Sequence, residues 1–251
     1  MRKKTLSLNK VTLISLSSVK ISETIQAMEY SMKNIDFAES ILFTHESPDD
    51  LPDNIKFIHV QEMKNVDDYN RIMLFELYKY IKTKYVLVIQ WDGYVVNPDM
   101  WDQDFLDYDY IGAPWPAELD FRDAKGRLCR VGNGVSLRSH RIMEYPDKAG
   151  LSWHPGENED TFLCCIHRVK IEEAGMTIAP VDVASKFSHE RPIPEVKGIR
   201  PFVFHKWDGN NVQYPRFGEG IVRETKRIMA KSLIKIGVYD KMHSLFTKHF
   251  R

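Results

Sequence analysis

A chain of 251 residues, 43% of them hydrophobic, holds enough apolar surface for one well-formed core and argues against two large ones. Thirty-five basic side chains balance thirty-five acidic ones, so the net-charge signature of a nucleic-acid binder is absent and any anionic partner has to be met locally. Three cysteines, Cys129, Cys164 and Cys165, form no even framework and lack zinc spacing, which predicts a reducing compartment, the cytoplasm.

The opening MRKKTLSLNKVTLISLSS imitates a signal peptide. Its apolar stretch is brief, follows Asn9 and Lys10, and carries serines throughout, so it predicts a first strand over VTLISLS. Ser22 is the expected cap of a helix over SETIQAMEYSMKN. ESILFTH and IKFIHV predict two strands separated by the breaker cluster from Pro48 to Asn54. DDYNRIMLFELYKYIKTK, with apolar residues at 72, 73, 75, 77, 78 and 81, predicts a helix, and YVLVIQ follows as a strand. Strand, helix, strand, strand, helix, strand implies an α/β fold, a Rossmann-type, mainly parallel sheet with helices on both faces.

From Trp101 to Trp115 the chain is turn-rich, predicting a loop around a short strand. VGNGVSLRS predicts a short strand preceded by a flexible turn, and a helix is expected from about Glu159 to Glu173. No window is long enough to span a membrane, and there is no internal repeat. Beyond residue 220 the composition turns basic and amphipathic, with Arg223, Lys226, Arg227, Lys231 and Lys235 among Ile228, Met229, Leu233 and Ile234. The expected organisation is one domain over 1–220 and a basic helical tail over 221–251. Such a tail suits either packing on the domain or peripheral contact with an anionic bilayer.

Two acidic stations carry the chemistry. The apolar run from Tyr85 to Ile89 delivers Asp92 and Gly93 to the end of a buried strand, where open α/β folds bind ligands. Asp92 also suits a plain Asp-Gly turn. In HPGENEDTF, Glu157, Glu159 and Asp160 offer oxygen ligands and potential bases, or simply complement a helix dipole. Gly132, Asn133 and Gly134 suit a tight turn whose backbone can approach a ligand, with the Asn133 amide free to read hydroxyls, or an ordinary hairpin turn. They do not form a dinucleotide fingerprint. Trp115, between prolines, can stack on a sugar face or cap the core. His154 and Arg138 suit a surface as well as a cleft.

Taken in order, IQWDG, DYDYIGAPW, VGNGVSLRS, NEDTF and PFVFHKW resemble a family of bacterial proteins long catalogued as a domain of unknown function and grouped with GT-A type, nucleotide-sugar-dependent glycosyltransferases. The resemblance covers about residues 10 to 210. It implies a GT-A domain in which Gln90 to Asp92 stand for the DXD motif, Gly132 to Gly134 for the glycine loop, Asn158 to Asp160 for the acidic motif, and His205 for the late histidine. Gln90 occupies the first acidic position, so Asp92 alone brings charge there.

On this resemblance Asp92 and His205 would hold a divalent cation, with manganese suiting a mixed oxygen and imidazole site better than magnesium. Gln90 and Lys206 would lie beside the diphosphate, unless Lys206 is a surface residue and His205 a core histidine. Asp160 would be the base that activates an acceptor hydroxyl, with Glu159 its competitor and Glu157 orienting the acceptor or the helix start. That chemistry implies inversion, a nucleotide-sugar donor, and a glycan or lipid-linked glycan acceptor. A noncatalytic glycan- or nucleotide-binding relative and a metal-dependent hydrolase of nucleotide diphosphates are the competing expectations.

Overall fold

Continuous apolar runs are what strands need when both faces of a sheet are covered, and the computed structural model, which describes residues 5–218, has them at its centre. The expected tail, 221–251, lies outside the described residues. In chain order come β1 (Leu6–Leu16), α1 (Ile21–Ser31), β2 (Ile35–Thr44), β3 (Lys56–His59), α2 (Val66–Phe75), β4 (Tyr85–Val88), β5 (Tyr110–Pro114), β6 (Val131–Ser139) and α3 (His140–Lys148). The short α4 (Glu159–Thr161), α5 (Arg168–Glu173) and α6 (Val181–Phe187) follow, with a two-stranded ribbon of β7 (Ser188–His189) and β8 (Val203–Phe204).

The six-stranded sheet has the order β3-β2-β1-β4-β6-β5. The first four strands run parallel, and β6 is antiparallel to both β4 and β5. Strand periodicity sends Leu13, Leu87 and Leu137 to one face, against Ala27 and Met28 of α1 and Ala184 and Phe187 of α6. It sends Ile14, Leu16, Val86 and Val88 to the other, against Ile72 and Met73 of α2 and Met143 of α3. The predicted β-α-β-β-α-β half and the α/β class are therefore present. Among the described residues no helix is long and apolar enough to cross a membrane.

Local departures from the predicted elements have identifiable causes. Ser22 does not cap α1: Lys20 occupies the cap position with φ 51° and no side chain caps the helix. α2 is capped instead by Asn65, whose side chain accepts from the Asp68 amide, and it stops at Phe75 before a separate 3-10 turn at Leu77–Tyr80. VGNGVSLRS is strand throughout rather than turn and short strand. Between Ile111 opposite Leu137 and Ala113 opposite Gly132 the pairing with β5 shifts, so β6 bulges around Asn133, which has φ 101°.

The helix expected over 159–173 is broken into α4, a π turn at Phe162–Ile166, and α5. The π turn is closed by the His167 amide donating to the Phe162 carbonyl at 2.9 Å, and Phe162, Leu163, Cys164 and Cys165 are all buried. The cysteines are free thiols.

Close pairing of β5 and β6 depends on Gly112, where an added Cβ would lie 1.7 Å from the Gly132 carbonyl oxygen. Gly112→Ala should cost about 3 kcal/mol, the scale of a severe overpacking, read as a lower urea midpoint at unchanged slope; an unshifted midpoint would contradict this packing.

Candidate active site

The strand order reverses direction at β1: the chain moves outward to β2 and β3, then returns to place β4 on the other side. Such a switch point opens a crevice beyond the carboxyl ends of the strands. A cavity of about 570 Å³ lies here. Its walls are the residues leaving β1 (Ser15 to Val19), the entry to α2 and its first turns (Met63 to Val66, Tyr69 and Asn70), the turn after β4 (Gln90 to Asp92), Gly134 of β6, Asn158 to Asp160, and His205 with Lys206. The two acidic stations of the sequence thus share one cavity.

Asp92 is both a turn residue and a cavity residue. Gln90 and Gly93 exchange backbone hydrogen bonds of 2.8 and 3.1 Å around Trp91 and Asp92. Glycine is needed at 93 because a Cβ would come within 2.5 Å of Val135 and 2.8 Å of the Phe204 carbonyl. The Asp92 carbonyl accepts from the Lys206 amide at 2.8 Å, which fixes the turn against the segment after β8. Lys206 itself has φ 61°, and such strain at a non-glycine residue tends to accompany functional sites.

His205 lies between two carboxylates. Its Nε2 is 3.6 Å from Asp92 Oδ1, and its Nδ1 is 3.7 Å from Glu190 Oε1. Glu190 also accepts from Lys206 Nζ at 2.6 Å. Burial alone would raise the Glu190 carboxyl, but His205 and Lys206 outweigh it and hold it below the ordinary range. Lys206 is therefore exposed but paired with Glu190. His189, whose Nε2 donates to the Ser185 carbonyl at 2.8 Å, is pushed down to about 4 by burial and stays neutral.

The Asp92 and His205 side chains suit part of a cation site. Asp92 Oδ1 is buried without a hydrogen-bond partner, and the separation from His205 Nε2 is close to that of neighbouring ligands around a divalent ion. Among the described residues no group of three or more His, Cys, Asp or Glu side chains could hold a metal. Further ligands would have to come from substrate oxygens and water.

At the second station Asp160 and Glu159 differ sharply. Asp160 is half-buried at the cavity wall, with Oδ2 accepting from the Asn133 amide at 2.9 Å and Oδ1 from the Thr161 amide at 2.7 Å. Burial raises its pKa in spite of these donors. Glu159 is 3% exposed and accepts from Arg138 Nη2 at 2.7 Å. Burial pushes its carboxyl up to about 7 against the pull of Arg138. Arg138 is 1% exposed; burial opposes its charge, but Glu159 and its other neighbours outweigh that and raise its pKa. Its Nε donates to Ser136 Oγ at 2.8 Å.

Four expected ligand-binding residues are placed elsewhere. Trp115 is buried against Phe121 and Gly132, so it caps the core and offers no open face. Gly132 has no side chain because a Cβ would lie 1.8 Å from the Trp115 ring. The Asn133 side chain is buried and its Oδ1 accepts from the Val135 amide at 2.9 Å; its backbone amide matters, by holding Asp160. Glu157 closes its own loop, accepting from the His154 amide at 3.0 Å, and is not among the cavity-lining residues. Gly134 and Gln90 do line the cavity, with Gln90 Nε2 donating to Tyr69 Oη at 3.0 Å.

Glu190, Tyr69 and Asn70 escaped the sequence reading, and Arg138 was left open between surface and cleft. Strand alternation was the available signal for Arg138, since it shares the Ser136 face of a strand that is internal to the sheet.

The model of the family described as protein of unknown function (DUF5672) matches residues 53–205. No curated protein matches the chain. An active-site mutant of LgtC is similar in structure with TM-score 0.50, over 88% of this chain and 95% of its own, at 14% identity. The apo form of the glycosyltransferase GlyE of Streptococcus pneumoniae TIGR4 gives 0.43 over 86% and 59%, at 11% identity. The mannosyltransferase PcManGT from Pyrobaculum calidifontis, in complex with GDP-Man and Mn2+, gives 0.40 over 69% and 55%, at 12% identity. The sheet order and the likeness to LgtC give the GT-A-like α/β fold that the sequence resemblance implied.

Glu159 makes stability depend on pH in a calculable direction. Its folded pKa of about 7 exceeds the ordinary 4.5, so between those values the folded state holds a proton that the unfolded state has lost, and stability falls as pH rises. Relative to Glu159→Gln, the wild type should lose stability from pH 4.5 to pH 7, measured by urea unfolding at each pH. Parallel curves for the two proteins would contradict the assignment.

Proposed function

The chain belongs to the DUF5672 family of proteins of unknown function, and from that premise and the cavity's geometry we propose a glycosyltransferase that moves a sugar from a nucleotide-sugar donor to a glycan acceptor. The observation that carries this reading is the convergence of Asp92, from the end of β4, and Asp160, from α4, on one cavity at the switch point. The GT-A-like fold supports it.

Asp160 is the proposed base. As the acceptor hydroxyl oxygen bonds to the anomeric carbon, its proton passes to Asp160 and the bond to the diphosphate oxygen breaks, that oxygen keeping the electron pair. One displacement of this kind inverts the anomeric centre. The backbone amides of Asn133 and Thr161 orient the carboxylate, and a pKa raised by burial makes it a better proton acceptor than an exposed aspartate. Glu159 serves worse, because Arg138 occupies Oε2.

Asp92 and His205 would hold a divalent cation, manganese or magnesium, which when bound would offset the charge developing on the diphosphate. Lys206 and Lys64, both lining the cavity, add positive charge near the leaving group. The acceptor is proposed to be lipid-linked, brought within reach by the basic segment 221–251.

Asp160→Asn should cut turnover by about 10²- to 10⁴-fold while leaving donor affinity within about twofold, whereas Asp92→Asn should weaken donor binding in manganese; assays of sugar transfer and calorimetric titration separate the two. An Asp160→Asn enzyme as active as the wild type removes this base, and nucleotide release without acceptor as the main turnover would point to a hydrolase. Truncation after residue 220 should abolish co-sedimentation with phosphatidylserine vesicles, and unchanged sedimentation would remove the membrane-linked acceptor.

A further inference from the structure

Asn70 lies on α2, lines the cavity, and is 2% exposed. Its Oδ1 accepts from the Glu159 amide at 3.1 Å, which settles which end of the side-chain amide is which. The nitrogen end, Nδ2, therefore carries two donor hydrogens, and among the described residues it has no hydrogen-bond partner. A buried donor left unpaired is costly and uncommon. On a cavity wall it marks where an acceptor oxygen of a ligand belongs, and a site built to bond a hydroxyl discriminates strongly against ligands that lack it.

The neighbours share this chemistry. Tyr69 Oη accepts from Gln90 Nε2, and burial, followed by the charge on Glu159, raises the Tyr69 phenol far enough that its own hydrogen remains available to a ligand. Gly134 leaves room for the Gln90 amide that bonds Tyr69: a Cβ there would meet Gln90 Nε2 at 2.7 Å and Glu159 Oε1 at 3.5 Å. Apart from Lys64 on the cavity wall, the charge here is negative or paired. Arg138 is buried and bonded to Glu159, Asp160 adds a carboxylate, and Lys206 is drawn away by Glu190.

We propose that the Asn70 end of the cavity is a subsite for a neutral, hydroxyl-bearing sugar, that Asn70 Nδ2 is its selecting donor, and that sugars bearing a carboxylate are rejected. The inference rests on the transferase reading and adds the class of transferred group to it. A carboxylate placed here would face the Glu159 and Asp160 carboxyls, whereas hydroxyls can accept from Asn70 and Tyr69.

Calorimetric titration of the full chain in manganese, against UDP, GDP, UDP-glucose, UDP-galactose, GDP-mannose and UDP-glucuronate, tests it. A neutral nucleotide sugar should bind at least about tenfold more tightly than UDP-glucuronate. Asn70→Ala should weaken that neutral sugar by about tenfold while leaving the bare nucleoside diphosphate within about twofold. Asn70→Asp keeps the oxygen that receives the Glu159 amide and removes both donors, so it should show the same split even where the alanine variant folds poorly. Tyr69→Phe should weaken the sugar in the same selective way. Variants that bind the neutral sugar as the wild type does, or UDP-glucuronate binding as tightly as its neutral counterpart, overturn the subsite alone. No binding of any of these nucleotides overturns the transferase reading together with it.

Discussion

The ion pair between Arg138 and Glu159 is the interaction on which the arrangement of the site depends. It joins β6, an internal strand, to the first turn of α4 inside the protein, where Glu159 supports the buried Arg138 charge even though burial lifts its own carboxyl to about 7. With that junction fixed, the Asn133 amide meets Asp160 on one side and the Asn70 side chain meets the Glu159 amide on the other. Removing one partner alone would strand a buried charge, typically at about 3–5 kcal/mol. A pair of this kind is a costly way to gain stability and a good way to define a register, since no neighbouring residue of either element can take its place.

A second junction, weaker in charge but tighter in backbone geometry, orders the Asp92 side of the cavity. The turn from Gln90 to Gly93 is closed on itself, and its Asp92 carbonyl is bound by the Lys206 amide. His205 is consequently held beside Asp92 by main-chain contacts from both β7 and the turn, the His205 amide donating to the His189 carbonyl at 2.8 Å. Glu190 follows His189 directly and so arrives behind the imidazole. The two-stranded ribbon thus brings an imidazole, an ammonium and a carboxylate together from two short segments about fifteen residues apart.

Much of this was legible in the sequence, for reasons that are local. Apolar runs such as Tyr85–Ile89 and the spacing of Ile72, Met73 and Phe75 report burial directly, and a strand-end acid such as Asp92 follows from them. Asp160 was legible as an acid opening a helical segment. What escaped was set by partners remote in sequence. Asn70 and Glu159 are 89 residues apart, and nothing in the helical pattern of α2 singles out Asn70 from its polar neighbours. Trp115 was ambiguous because an aromatic between prolines suits a core or a loop, and Gly132 settles the matter by leaving room for its ring. The glycines of β6 resembled a turn, whereas one leaves room for the Trp115 ring and the other for the Gln90 amide, with the bulge formed at Asn133 between them.

The π turn at Phe162–Ile166 has a geometric bearing on all of this. A π turn holds one residue more than the α-helical turn it replaces, so shortening it by that residue would rotate everything before it by about 100° relative to α5. Arg138 and the Asn133 amide would then address different side chains, and the acids that open α4 would swing out of the crevice. The odd residue in this helical segment acts as a phase setting: it lets four consecutive residues, Phe162 to Cys165, stay in the interior while the carboxylates just ahead of them are dialled toward the open space above the sheet.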